Sequence, residues 1–219
     1  SSKRKTAVIQ LKEEGVIVRV PDWVSEEWVT DFVASKEQWI ARHADAIQQN
    51  LVKFCLKTEQ GALFPYLGND YCLQWFRGTK KKVVLQKNIL QVIVGNKSKK
   101  EESVLVEEVL KCWYREQAKQ YIDQRVDYWQ RIIGVELNTL KYKSFRRRWG
   151  SCDSQRNIVF NWRLIFAEPD LIDYVVIHEL AHLIHLNHSA DFWSVVQQYC
   201  PDWKSKRKEL QSRKGWVLW

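Results

Sequence analysis

Apolar positions along the first hundred residues come in short β-branched blocks, and along the second half they recur at helical spacing. AVIQL and VIVRV, joined by the turn KEEG, predict a hairpin that Pro21 ends. Ser25 is a predicted N-cap, and Trp28, Val29, Phe32, Val33, Trp39 and Ile40 predict a helix running to about Asn50. LFPYLGNDYCLQWF predicts a second hairpin around Gly68-Asn69-Asp70, and VVLQKNILQVIVG a third that turns at Lys87-Asn88.

A polar tract from Asn96 to Glu102 then marks a boundary between residues 1–97, a β-rich subdomain with one long helix, and residues 98–219. Val104, Val109, Trp113, Ala118, Ile122, Val126 and Trp129 predict a long amphipathic helix from Glu101 to Ile133, stopped by Gly134. Short strands are expected around Leu140–Phe145 and Ile158–Trp162, connected through RRRWGSCDSQRN. Pro169-Asp170 opens a further helix, Ser189 caps one through Tyr199, and a basic helix follows from Trp203 to Arg213. The class expected is α+β.

The net charge of +9 is unevenly placed. Between Lys141 and Arg163 stand seven basic residues against Asp153, and between Trp203 and Lys214 six against Glu209. The stretch from Leu164 to Cys200 has five acids and no Lys or Arg. Arg146–Arg148 together with the helix from Trp203 form a candidate surface for DNA or another polyanion, whereas Lys80–Lys82 and Lys97–Lys100 read as solvated loop charges. Five widely spaced cysteines without a C-x-x-C pair suit free thiols in a reducing, cytoplasmic setting. No apolar run reaches the length of a membrane span, and the first fifteen residues lack the apolar core of a secretion signal.

Four of the five histidines fall within eleven residues, at His178, His182, His185 and His188. On a helix, His178 and His182 lie one turn apart and can direct two imidazoles at one ion. Glu179 completes H-E-x-x-H, in which it acts as general base beside the metal. A catalytic zinc site needs three protein ligands and one open position. His188 is the preferred third ligand and His185 a competitor, although His185 continues the same helical face and would converge poorly. His185 also takes the place of the glycine in H-E-x-x-H-x-x-G-x-x-H, leaving Asn187 to turn the chain in the left-handed region. The expected cofactor is one Zn2+ ion. His43 reads as a surface residue.

The run RWGSC…NWRL…P…IDYVV-HELAHL…NHS…FW resembles the YgjP-type metallopeptidase family, relatives of the SprT-type proteases. VRVP…V…FV-SK-WI and YLG-DY extend the likeness over nearly the whole chain. One departure is Asn157, where the family often has a glycine. The resemblance implies a zincin-like metallopeptidase domain with a small sheet and an active-site helix, His178, His182 and His188 as metal ligands and Glu179 as catalytic base. It also implies a protein or peptide substrate; some of these relatives cleave DNA-bound proteins.

Arg148, Arg163 and Tyr174 are candidate donors to the oxyanion, and by analogy with zincins Ile158–Asn161 is a candidate strand for binding substrate. Arg148-Trp149-Gly150-Ser151-Cys152 reads either as a functional loop near the metal or as a strand-end turn. Cys152 has no base placed beside it. Trp28, Trp39, Trp113, Trp129 and Trp193 sit at core spacing, while the terminal GWVLW keeps open a role in stacking on bases. Two other readings are a nucleic-acid-binding module with a structural zinc and a zinc amidohydrolase acting on a non-peptide amide.

Overall fold

Residues 6–12, 15–42, 56–213, 216 and 219 are described by the computed structural model. The chain divides into two compact units, 1–54 and 55–219. In the first, β1 (Val8–Lys12) and β2 (Gly15–Arg19) pair antiparallel as the expected hairpin. The Ser25 side chain accepts from the Trp28 amide and starts α1 (Glu26–Ala34). This helix stops well short of Asn50. The Ser35 hydroxyl donates to the Phe32 carbonyl at 2.7 Å, a local bond that competes with the helix ladder. Residues 37–42 are helical again, and residues 43–50 of the expected helix, with His43, lie outside the described residues. Trp28 and Trp39 are 45% and 43% exposed, so the core placement expected for them is not what the fold uses.

The second unit begins with a four-stranded sheet of order β3-β4-β6-β5, from β3 (Leu63–Tyr66), β4 (Asn69–Gly78), β5 (Lys82–Gln86) and β6 (Ile89–Gly95). Both expected hairpins form, and between them β4 and β6 run parallel. The first turn falls at Leu67-Gly68, both with positive φ, one step earlier than expected. Tertiary contact decides this: the Leu67 and Gly68 amides donate to the carbonyls of Ile165 and Phe166. A Cβ on Gly68 would lie 2.5 Å from Glu168 Cγ. The turn is therefore clamped onto the segment that leads into the histidine helix.

The long helix α2 (Glu102–Ile133) buries Leu105, Val106, Val109, Leu110, Tyr114, Ala118, Ile122 and Val126, a stripe at three- and four-residue spacing. Gly134, at φ 77°, ends it in the left-handed conformation. The helix packs against β6, against a 3-10 turn (Trp162–Phe166) and against the histidine helix. The expected division at residue 97 thus passes through the second unit, because α2 packs both on β6 of its sheet and on the histidine helix.

The second sheet has the order β7-β9-β8, from β7 (Thr139–Lys143), β8 (Gly150–Cys152) and β9 (Asn157–Asn161). β8 lies within the connection expected between two strands; three residues are too few to show a period. β9 is the middle strand, paired on both sides. Ile158–Asn161 consequently cannot take up a substrate strand, since both its edges are spent on protein. Trp219 enters an aromatic cluster with Phe64, Tyr114, Trp162 and Phe166, at centroid distances of 5.5–6.0 Å, and Trp216 is buried beside Phe166. Trp216 is buried and Trp219 half-buried, and both rings pack against Phe166. Among the described residues no helix is long and apolar enough to cross a membrane.

Candidate metal centre

Three helices surround the site: α3 (Pro169–Ala181), α4 (Ala190–Tyr199) and α5 (Trp203–Ser212). Pro169 at the first turn of α3 fits the missing amide of proline to a position with no helical partner. Most of α3 is buried, and it carries His178 and Glu179, with His182 as its C-cap. Beyond His182 the chain leaves the helix and returns His188 to the same place. Asn187 does this without a positive φ, contrary to expectation; its side-chain oxygen instead accepts from the Ser189 amide in a local turn.

One ring nitrogen from each of His178, His182 and His188 lies within 4.8 Å of the other two. His188 Nε2 stands 3.2 Å from His178 Nε2. Two nitrogens bound tetrahedrally to zinc at ~2.0–2.1 Å would be about 3.3 Å apart, so this pair already has the spacing of ligands. His182 Nδ1 is 3.1 Å from the His185 carbonyl, a contact that assigns its proton to Nδ1 and leaves Nε2 with a lone pair. His185 contributes that carbonyl, and its ring stays outside the group. Burial, with the neighbouring histidines and Arg207, pushes His178 down to about 3, and burial also lowers His182, which favours the neutral, ligating form. Phe192 stacks on His182 at 4.5 Å, and Trp193 lies 5.7 Å and 5.6 Å from His178 and His188. The donor set and its spacing fit a single borderline cation.

Glu179 is 5% exposed, and burial raises its carboxyl to about 8 against the pull of Arg148. β8 runs against its side chain: a Cβ on Gly150 would lie 2.5 Å from Glu179 Oε1. The RWGSC segment is therefore both a strand and a wall of the site. Burial first, then the charge of Glu179, lift the Cys152 thiol to about 11, which leaves it protonated and poorly nucleophilic.

A cleft of about 290 Å³ opens beside Glu179, lined by Arg147, Arg148, Tyr174, His178 and Arg207 among others. Tyr174 is a turn before His178, and burial pushes its hydroxyl up to about 12, so it remains a proton donor. Arg148 shares the cleft, but Arg163 does not. Arg163 is buried on the 3-10 turn, donates to the Trp219 carbonyl and covers the Trp162 ring, which removes it from the candidate oxyanion donors.

Two residues escaped the sequence reading. Asn161, fully buried, donates through its side chain to the carbonyls of Phe145 and Arg148, and its amide donates to Trp149, fixing the loop that precedes β8. Arg207 looks in sequence like one more charge on a basic helix, yet the packing of α5 on α3 brings it into the cleft. Other charges of the basic segments are consumed within the fold: Lys206 pairs with Asp170 and Asp202, and Arg213 with Glu168 and Glu209.

An α+β chain with three clustered imidazoles beside a buried glutamate belongs to the class of metal-dependent hydrolases. Residues 5–213 match the YgjP-like metallopeptidase domain, and the chain belongs to that family. A solved structure, the metallopeptidase zymogen of Pyrococcus abyssi abylysin, is similar at 19% identity over 42% of this chain and 93% of that chain, with a TM-score of 0.39. No curated protein matches the chain.

Proposed function

We propose that the protein is a zinc-dependent peptidase in which His178, His182 and His188 hold one zinc ion and Glu179 is the general base. The observation that carries this reading is the convergence of the three ring nitrogens within 4.8 Å on the helix that also bears buried Glu179. A structural zinc takes four protein ligands; the group among the described residues has three. Three imidazoles and an open position suit a catalytic ion.

Bound there, zinc would lower the pKa of a water molecule and polarise the scissile carbonyl. The chain supplies the rest. Glu179, buried on the helix that carries His178 and His182, is placed to take a proton from the attacking water and pass it to the departing amine nitrogen. The hydroxyl of Tyr174 and the guanidinium of Arg148, which share the cleft, are the groups able to donate to the oxyanion. The outer edge of β8 pairs with no other strand among the described residues, and its Gly150 touches Glu179, so an extended peptide can add to that edge beside the base.

The test compares wild type with Glu179→Gln on casein, with bound metal measured in both. The expected outcome is equal metal content and a loss of cleavage of about 10²–10⁴-fold. Equal cleavage by the two proteins would remove Glu179 from the role of base.

A further inference from the structure

Three arginines line the cleft beside Glu179: Arg147 and Arg148 from the loop before β8, and Arg207 from α5. Among the described residues no ion pair takes up any of them. The acids nearest Arg207 in its own segment are already engaged, Asp202 by Lys206 and Glu209 by Arg213. Asp170 and Glu168, at the start of α3, are claimed by the same two cations. Glu179 is the one acid lining the cleft, and it is buried in the wall against Gly150.

The side chains that carry this charge are positioned by rings. Arg207 lies 5.3 Å over Trp193, whose ring borders both His178 and His188. Arg148 lies 5.4 Å from the Phe145 ring, on the loop that Asn161 ties down. A guanidinium stacked on an aromatic face keeps its fork of N–H donors free for a planar anion. The cleft's volume suits one side chain or chain end, not a long polymer.

We propose that this cleft is a specificity subsite for a carboxylate-bearing residue of the peptide substrate, with Arg207 as its anion contact. The proposal rests on the peptidase reading for its setting, but its test reads binding. Arg207 is exposed on α5, so its replacement leaves the core intact.

The probe is a fluorescein-labelled hexapeptide set in which each position in turn carries Glu, Gln or Lys. Anisotropy is measured on the zinc-loaded Glu179→Gln protein, which binds without turnover, alone and combined with Arg207→Gln or Arg207→Glu. At one position Glu should bind about 10- to 100-fold tighter than Gln. Arg207→Gln should erase that preference, and Arg207→Glu should turn it towards Lys. Equal binding of Glu and Gln at every position overturns the proposal, as does a Glu preference that survives Arg207→Glu. It is also overturned if an oligo-dT strand binds in an Arg207-dependent way while the peptides show no preference for Glu, since the cleft would then serve a nucleic acid. Wild-type protein that shows the Glu preference yet cleaves none of the set supports the subsite and counts against the peptidase reading.

Discussion

Gly150 and Glu179 are in direct contact, on a strand and a helix from distant parts of the second unit, and a Cβ on Gly150 would meet Glu179 Oε1 at 2.5 Å and Cδ at 2.7 Å. The φ of Gly150 is not positive, so its backbone does not demand glycine. The demand is steric. Glycine at this place lets an edge strand pass close enough to wall in the carboxyl.

Gly150→Ala should therefore act on catalysis before stability. The methyl group must displace the Glu179 carboxyl, and a displacement of about 1 Å at a reacting group costs on the order of 100-fold in rate. Expected is a fall in kcat of about that size, with zinc content and far-ultraviolet dichroism as in wild type. Unchanged kcat would show that the carboxyl is free to adjust.

His188 and His185 should separate cleanly. His188 points a ring nitrogen at His178, while His185 offers only its carbonyl to His182. Loss of a ligand should exceed the ~10–100-fold effect typical of an outer-shell partner. His188→Ala should thus lose most of its zinc on dialysis against a competing chelator, and His185→Ala should keep it.

The metal-free protein should lose stability as pH rises from 6.5 to 8. Glu179 goes from 4.5 to about 8 on folding, so between those values the folded chain holds the extra proton and stability falls with pH. His178 goes from 6.5 to about 3, so it acts in the opposite sense, but only below 6.5. Above that, the Glu179 contribution stands alone of the two and amounts to about 1–2 kcal/mol. Urea denaturation with the metal removed should show this slope in wild type and a flatter one in Glu179→Gln.

Gly68→Ala should destabilise the fold. Gly68 combines a φ of 78° with Glu168 2.5 Å from where a Cβ would sit, and its amide bonds to the Phe166 carbonyl. The left-handed backbone alone is worth about 1–3 kcal/mol to any other side chain. A lower urea midpoint is expected at an unchanged m-value.

The sequence by itself determined most of the elements and which residues share a turn of the histidine helix. Helical geometry fixes that His178, Glu179 and His182 share one turn, whatever surrounds them, and Val109, Ala118, Ile122 and Val126 lie on the buried face of α2 as their spacing predicts, whereas Val104 is 43% exposed and Leu105 and Val106 are buried at its start. Capping residues such as Ser25 and Ser189 marked helix starts for reasons confined to their own neighbours. Contacts between distant segments were not legible. β8 is three residues long and exists as a strand only because β9 pairs with it, and that pairing makes β9 central and turns Gly150 towards Glu179. The packing of α5 on α3 turned Arg207 from one charge in a basic run into a wall of the cleft, and ion pairing neutralised its neighbours Lys206 and Arg213. Local periodicity carries information over one or two turns; the direction of a side chain across a cleft is set by packing, which only the folded chain decides.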